Sequence, residues 1–296
     1  MINRRKFIKT SAIGFAGLAI SGQDALSALS KTTVKNKISS VLLGNTGLEI
    51  SQVGLGTGTV AYDKSSNQTR LGMDNFLRLA QHAYDRGLTY FDLADSYGSH
   101  SYIANALKHM DREKVQLCSK IWTHPNGSDK IVAVEETINR FRKEINTDYL
   151  DIVLMHCLME PNWTESRSYY MEALSKAKQE GIIKTVGVSC HNWDAMAEAV
   201  DSPWVDVILA RINPFQANMD GTPEAVNELL GKAKQNGKGI IGMKIFGEGK
   251  KVTEEEREHS LNYSLKEANI HCMTIGLESE DQIDDLVSRV TRINQA

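Results

Sequence analysis

Four polar residues that could cooperate in proton transfer follow apolar runs in the middle of the sequence. Asp92 and Tyr97 follow one run, Lys120 follows the next, and His156 closes a third. A tyrosine hydroxyl, with an ordinary pKa of about 10, exchanges protons poorly at neutral pH, and a neighbouring ammonium favours its ionised form. Lys120 can supply that ammonium, and Asp92 can keep the lysine charged. An imidazole can hydrogen-bond a substrate oxygen. These residue types together predict acid–base chemistry at an oxygen atom.

Each of the four residues also has an interpretation without chemistry. Asp92 could cap the next helix, and Tyr97 could be an aromatic residue of a surface loop. Lys120 could be a solvated charge, and His156 a hydrogen-bonded histidine of the core. All four stand at the ends of successive apolar runs, so the elements that carry those runs decide between the two interpretations.

From residue 40 onward, short β-branched runs alternate with helical patterns whose apolar residues recur at spacings of three and four. The runs are nearly continuous in apolar residues, as expected of parallel strands covered on both faces. Eight strand–helix units predict a single (β/α)8 TIM barrel over residues 38–296, with functional residues at the carboxyl ends of its strands. An open doubly wound sheet is the alternative, but no G-x-G-x-x-G sequence follows the first strand. The predicted strands are 52–55, 89–92, 115–119, 149–156, 183–189, 205–210, 239–244 and 271–275.

Ahead of the barrel, two short extended runs flank the turn Asn45-Thr46-Gly47. This pattern predicts a β-hairpin over residues 41–50. We expect the hairpin to close the bottom of the barrel.

Composition excludes several classes of protein. The 296 residues are 41% hydrophobic and 24% charged, the balance of a soluble globular chain. With 34 Lys and Arg against 37 Asp and Glu, the chain has no basic excess for a nucleic-acid partner. The four cysteines form no C-x-x-C pair, so we predict no metal site and favour buried free thiols over a disulfide.

Residues 1–30 differ from the rest of the chain. Arg4, Arg5, Lys6 and Lys9 against Asp24 give them a net charge of +3, and the apolar stretch that follows is too short to span a bilayer. The order of residues 3–9 resembles the twin-arginine consensus. We predict a twin-arginine-type signal peptide over residues 1–30, which implies the twin-arginine export machinery as a partner, a periplasmic location and no stable membrane anchor. The alternative is an amphipathic first helix of the fold.

Beyond the four polar residues, several segments resemble the aldo/keto reductase family. They are residues 43–48, 53–58, 146–151 and 181–189, and the resemblance covers nearly all of residues 40–290. It implies a (β/α)8 barrel that reduces carbonyl compounds with NADPH. It also implies that Asp92, Tyr97, Lys120 and His156 form the catalytic tetrad, with Tyr97 as general acid in reduction and general base in oxidation.

The same resemblance implies a nicotinamide site. Gly56, Thr57 and Asp92 lie on one side of it, and Ser189 on the other. Cys190 stands where the family has an asparagine, and a thiol cannot replace the donors and acceptor of an amide. Met243, followed by Lys244, stands where many members stack a tyrosine on the ring.

At the other end of the cofactor, Gly276 and Gln282 stand where the family often has a Lys and an Arg for the 2'-phosphate. Acidic residues surround them, namely Glu278, Glu280 and Asp281. The resemblance implies NADP(H) as the cofactor, whereas the missing cations and the surrounding acids predict use of NAD(H) as the alternative. The acids could instead complement the dipole of the last helix, and cations converging there would count against NAD(H).

The substrate is predicted only as a class. Trp122, Trp163 and Asn213 lie in loops expected to face the substrate, although each could equally pack on the rim of the barrel. The sequence runs only to Ala296, soon after the last helix, so we expect an open site for a carbonyl compound such as a sugar. Two other functions stay open: a nucleotide-binding sensor with little turnover, and an isomerase or epimerase that uses tightly held NAD(P).

Overall fold

The computed structural model describes residues 37–124 and 133–296. Within these residues, eight parallel strands close a barrel in sequence order, and the last pairs with the first. This confirms the predicted (β/α)8 fold. The predicted signal peptide lies outside the described residues. The barrel strands are β3 (Val53–Gly56), β4 (Tyr90–Asp92), β5 (Gln116–Trp122), β6 (Leu150–Leu158), β7 (Ile183–Cys190), β8 (Val207–Arg211), β9 (Gly239–Met243) and β10 (Cys272–Gly276).

Helices lie outside the barrel and follow the strands along the chain. Side-chain caps start several of them: Thr253 and Glu256 form a capping box, and Thr222 caps a helix whose first residue is Pro223. No helix in the described part of the chain is long and apolar enough to cross a membrane. The helices are α1 (Asn67–Arg70), α2 (Met73–Asp85), α3 (His100–Leu107), α4 (Val134–Ile145), α5 (Trp163–Ser166), α6 (Ser168–Gln179), α7 (Trp193–Asp201), α8 (Pro223–Gln235), α9 (Glu254–Asn262) and α10 (Glu280–Gln295).

The strand residues divide between two cores. Tyr90, Cys118 and Leu154 pack inside the barrel, whereas their neighbours Phe91 and Leu117 pack against the helices. Successive side chains of a strand point to opposite faces, so every strand contributes to both cores. This explains why the strands are apolar on nearly every residue.

A hairpin of β1 (Ser40–Leu42) and β2 (Glu49–Ser51) closes the amino-terminal end of the barrel. Leu43 and Ile50 are fully buried in the inner core. Gly44 has a φ of +55° and lies against the backbone at the start of β9, where a side chain would collide with Gly239. The predicted hairpin and its place at the bottom of the barrel are confirmed.

Two strands run two or three residues further than the sequence predicted. β5 continues to Trp122 and β6 to Leu158, because Trp122 pairs with His156 and the ladder between the two strands persists. Lys120 therefore lies within β5 and does not follow it, whereas His156 lies within its strand as predicted. Cys157, with a φ of +60°, coincides with an irregularity in the pairing of β6 with β7.

All four cysteines are free thiols. Three of them are buried and Cys157 is half-buried. The described residues contain no group of three or more His, Cys, Asp or Glu side chains that could hold a metal ion.

Candidate active site

Lys120 lies at the centre of a buried polar cluster at the carboxyl end of the barrel. Its Nζ atom is 2.6 Å from Asp92 Oδ1, 2.9 Å from the carbonyl oxygen of Leu93 and 3.4 Å from the hydroxyl of Tyr97. Lys120 is 1% exposed and Asp92 is 5% exposed. The three contacts match the three donors of an ammonium group. Three of the four predicted residues are therefore in direct contact.

The local chain path brings Tyr97 back over Lys120. After β4 ends at Asp92, a 3-10 turn over Asp95–Tyr97 leads into α3. Gly98 leaves that turn with a φ of +70° and lies directly against the backbone of Lys64, where no larger residue fits. Gly58 packs against the ring of Tyr97 in the same close way. These contacts hold the phenol in the mouth of the barrel.

Burial decides the protonation states of this cluster. Burial raises the pKa of Tyr97, and the opposing charge of Lys120 does not cancel that effect. Burial would lower the pKa of Lys120, but Asp92 and Tyr97 outweigh it and the net change is a rise. The sequence predicted that Lys120 would favour the ionised tyrosine. In the structure Lys120 does lower the pKa of Tyr97, but burial raises it by more, so Tyr97 is a protonated phenol beside an ammonium group, which suits a proton donor.

His156 faces the same site as a neutral imidazole. Burial lowers its pKa well below the usual 6.5, and the positive charge of Lys120 adds to this effect. The ring centre of His156 lies 5.7 Å from that of Tyr97 and 5.4 Å from that of Trp122, edge to face in both cases. A neutral imidazole carries one N–H donor, which can hydrogen-bond an oxygen placed near Tyr97.

Beside this cluster, a cavity of about 290 Å³ runs along the carboxyl ends of β3, β4, β9 and β10. Most of the residues predicted to bind a cofactor line it together with Tyr97. They are Gly56, Asp92, Met243, Lys244, Gly276 and Gln282. The structure therefore brings the predicted cofactor residues and the predicted proton donor into one cleft.

Two buried hydroxyls on the inner face of the barrel fit a polar ligand. Ser189 Oγ and Thr274 Oγ1 have no hydrogen-bond partner within the described part of the chain. Both alternate with residues of the outer core, so both side chains point inward. A buried hydroxyl without a partner is costly, and a bound amide or hydroxyl group would satisfy it. These hydroxyls fit a nicotinamide nucleotide.

Comparison with known proteins identifies the family. The model of the Aldo/keto reductase family matches residues 52–294. The chain belongs to the aldo/keto reductase family. It is accordingly an oxidoreductase, as the resemblance implied.

L-galactose dehydrogenase of Arabidopsis thaliana is 26% identical over 298 residues, which cover 87% of this chain and 89% of the relative. Methylglyoxal reductase DkgB of Escherichia coli O157:H7 is 25% identical, over 63% of this chain and 67% of the relative.

Solved aldo/keto reductase structures share the fold. The holo form of a Bacillus halodurans aldo-keto reductase has a TM-score of 0.67 and 18% identity, covering 86% of this chain and 91% of that one. A Klebsiella pneumoniae aldo/keto reductase in complex with NADP and acetate has a TM-score of 0.64 and 16% identity, covering 86% and 90%. At such identities the likeness concerns the barrel itself.

Three residues predicted to bind the cofactor of this aldo/keto reductase do not line the cleft, namely Thr57, Ser189 and Cys190. Cys190 is fully buried in the outer core, because it follows the inward-facing Ser189 by one residue. Thr57 is also fully buried, and its hydroxyl bonds to the carbonyl oxygen of Asp92 and to Ser99. Cys190 is thus a packing residue, and Thr57 ties β3 to β4.

The cations near the cleft are already paired with acids. Arg211, at the end of β8, bonds to Asp220, and Lys244 Nζ lies 2.5 Å from Glu248. Each ion pair as a whole carries no net charge, so the two pairs attract an anionic substrate only weakly.

The predicted 2'-phosphate end of the cleft is held together by its own polar residues. Asn67 donates to Glu278 over 2.6 Å, and the backbone N–H of Glu278 donates to Gln282 over 2.7 Å. Arg70 bonds to Asn67, and Arg78 of α2 lines a neighbouring cleft with Glu278. The cations near the start of α10 are therefore Arg70 of α1 and Arg78 of α2, whereas positions 276 and 282 carry none.

The predicted substrate residues separate into one beside His156 and two elsewhere. Trp122 is 51% exposed at the end of β5, beside His156. Trp163 is fully buried in α5, where its indole N–H donates to the carbonyl oxygen of Ala195 over 3.0 Å. A tryptophan with its ring packed and its N–H satisfied has no group left for a substrate, so Trp163 is a core residue.

Asn213 organises a loop and does not contact the pocket. It is fully buried, and its amide donates to the carbonyl oxygens of Ala217 and Lys244. Its oxygen accepts from the backbone N–H groups of Phe215 and Ala217. All hydrogen-bonding groups of the side chain are used, which ties the loop after β8 to the loop after β9.

Sequence reasoning missed Gly58, Thr59 and Thr274, which also line the cleft. Thr274 could have been found, because it lies two residues before Gly276 on the same strand and so shares its face. Gly58 and Thr59 lie in an irregular loop whose path has no periodic signal.

Proposed function

We propose that this protein is an NAD(P)H-dependent reductase of aldehydes or ketones, with Tyr97 as the general acid and, in the reverse direction, the general base. The observation that carries the proposal is the contact of Tyr97 with the buried Lys120–Asp92 pair at one wall of the cleft. Membership of the aldo/keto reductase family supports the same chemistry.

A nicotinamide cofactor held along the cleft would supply the hydride for the carbonyl carbon, and the residues of the chain provide the proton. Tyr97 donates its phenolic proton to the carbonyl oxygen. Lys120 stabilises the phenolate that remains, because its ammonium lies 3.4 Å from that oxygen. Asp92 keeps Lys120 charged and oriented. Neutral His156 donates a hydrogen bond to the substrate oxygen and so helps to orient it.

We propose NADP(H) as the principal cofactor. Ser189 and Thr274 would accept its polar groups, and Gly56 and Gly276 leave room for it along the cleft. The complex of the Klebsiella pneumoniae relative with NADP supports this assignment. NAD(H) is the alternative, since position 276 carries no cation.

For the substrate we propose a polyhydroxylated carbonyl compound of the sugar type. Trp122 offers a half-exposed indole beside His156, a flat apolar surface bordered by polar groups. The name of the relative L-galactose dehydrogenase agrees with this class.

The deciding experiment measures cofactor binding and turnover separately. Quenching of tryptophan fluorescence gives the Kd for NADPH and NADH, and a panel of aldoses and simple aldehydes gives kcat. Tyr97→Phe should bind cofactor as the wild type does but lose at least about 100-fold in kcat. Binding without turnover of any carbonyl would favour a sensor. Conversion of a sugar without net consumption of NADPH would favour an epimerase, and absence of binding would overturn the proposal.

We also propose that residues 1–30 act as a twin-arginine-type signal peptide that directs the protein to the periplasm. The support is the paired Arg4 and Arg5 ahead of a weakly apolar stretch. Residues 1–35 fused to a reporter that is active only outside the cytoplasm should be exported, and replacing both arginines by lysine should stop export. Retention of the unaltered fusion in the cytoplasm would contradict the proposal.

A further inference from the structure

The turn that carries Tyr97 is fastened to helix α4 on both sides. Two residues before the tyrosine, Asp95 receives two parallel hydrogen bonds from Arg140, each 2.8 Å long. Three residues after it, His100 Nδ1 lies 2.7 Å from Glu144 Oε2. Arg140 and Glu144 are one helical turn apart and bond to each other over 2.8 Å. A single face of α4 therefore holds both flanks of the tyrosine.

The same network reaches the strand that carries Lys120. His100 Nε2 lies 2.9 Å from the hydroxyl of Ser119, which immediately precedes Lys120 in β5. Ser119 is fully buried and His100 is 4% exposed, so this link is shielded from water. The network thus connects the elements that carry Tyr97 and Lys120.

The charges of the network are permanent near neutral pH. Burial would raise the pKa of Asp95, but the hydrogen bonds and charge of Arg140 outweigh it and lower the pKa. The hydrogen bond from His100, with a smaller contribution from Arg140, lowers the pKa of Glu144 to about 2. Both carboxylates stay ionised under working conditions, so the fork of hydrogen bonds from Arg140 persists.

We propose that Arg140 is a positioning residue for this reaction. Its hydrogen bonds to Asp95 hold the turn in place and so fix the distance between the Tyr97 hydroxyl and the Lys120 ammonium. The proposal rests on the function proposed above. Arg140 lies on an outer helix and does not line the cleft, so it acts through the residues it holds, chiefly Asp95. A guanidinium group suits a positioning role, because its two parallel hydrogen bonds to a carboxylate fix direction as well as distance.

The test compares Arg140→Ala and Arg140→Lys with the control Arg142→Ala. Arg142 lies on the same helix and donates to Asn139 of that helix. We expect Arg140→Ala to lower kcat by about 10- to 100-fold with KM changed by less than about threefold, because misplacing a proton donor affects the chemical step. Arg140→Lys, which keeps the charge but loses the fork, should fall between Arg140→Ala and the wild type. The control should stay within about twofold of the wild type.

A second readout follows Tyr97 itself and needs no substrate. Tyrosine labelled with carbon-13 at Cζ titrates visibly by NMR, and the spectrum of Tyr97→Phe assigns the signal. When Lys120 loses contact with the phenol, its opposing charge weakens, so the pKa of Tyr97 should rise further in Arg140→Ala. A role in stability alone would leave this titration unchanged.

The outcomes separate the two proposals. If folded Arg140→Ala keeps both kcat and the titration of Tyr97, the positioning role is wrong. If Arg140→Ala does not fold, Arg140→Lys and Asp95→Asn decide, because either must shift the titration of Tyr97 or the role is overturned. If the wild type reduces no carbonyl, the proposed function fails, while the NMR titration still decides the role of Arg140.

Discussion

The Lys120 ammonium and the Asp92 carboxylate form an ion pair of 2.6 Å that is almost wholly removed from water. The remaining ammonium contacts go to the Leu93 carbonyl oxygen and the Tyr97 hydroxyl. Removing one partner of such a pair leaves an uncompensated charge in the interior, whereas removing both leaves none. The site therefore couples chemistry to stability.

Removing one partner of the Lys120–Asp92 pair should therefore destabilise the protein much more than removing both partners. Asp92→Asn should lower the free energy of unfolding by about 3–5 kcal/mol, because Lys120 loses its counter-charge. Asp92→Leu combined with Lys120→Met should recover most of that loss, and both proteins should be inactive. Urea unfolding and kcat measure the two effects. A single variant as stable as the wild type would show that the pair is not a buried ion pair.

Ser189→Ala should weaken cofactor binding without destabilising the protein. The Ser189 hydroxyl is buried and has no partner among the described residues, so its removal costs the free protein nothing. The Kd for NADPH should rise about threefold to tenfold, the effect of one lost hydrogen bond. Ser260→Ala is the matched control, because its hydroxyl is also buried and unpartnered but lies in α9. An unchanged Kd in Ser189→Ala would place the ligand elsewhere.

His191 should make stability depend on pH. Burial, helped by Arg211 and Lys244, lowers the pKa of His191 to about 4, against an ordinary value of about 6.5 in the unfolded chain. Between these values the unfolded chain binds a proton that the folded protein does not. The free energy of unfolding therefore falls as pH falls from about 6.5 to about 4.

His191→Gln should flatten that dependence, measured by urea unfolding at pH 4.5 and pH 7. His156 has a lowered pKa for the same reason and contributes in the same range, so part of the slope should remain. The exposed His109→Gln is the control. An identical slope in His191→Gln and the wild type would contradict the assigned pKa.

The two tryptophans should respond oppositely to truncation. Trp163→Ala should cost about 3–5 kcal/mol of stability, because the ring is fully buried. Trp122→Ala should change stability by less than about 0.5 kcal/mol and raise KM, because Trp122 is half exposed beside His156. Thermal unfolding and steady-state kinetics distinguish the cases. A Trp122 variant with an unchanged KM would remove it from the substrate site.

Local patterns were sufficient for the architecture and for the reacting groups. Strand periodicity and the run of eight units predict a barrel, and a barrel places the ends of consecutive strands at one rim. That is why the sequence alone places Asp92, Lys120 and His156 at one end of the barrel. Inward or outward direction follows from the same alternation, so the outward direction of Cys190 was accessible from the sequence in principle.

Contacts between segments that are distant in the sequence could not be predicted from these local patterns. Trp122 and Trp163 were both predicted to lie in substrate-facing loops, yet Trp122 ends β5 beside His156 and is half exposed, whereas Trp163 lies in α5 and is enclosed by α7. Arg140 and Asp95 are 45 positions apart, and neither segment of the sequence indicates that the two side chains pair. The sequence by itself determined the barrel and the order of its candidate reacting groups, because both depend on repeats within a few residues. Only the tertiary structure decided which side chains are buried, paired or left unpartnered, because burial and pairing depend on contacts between distant segments.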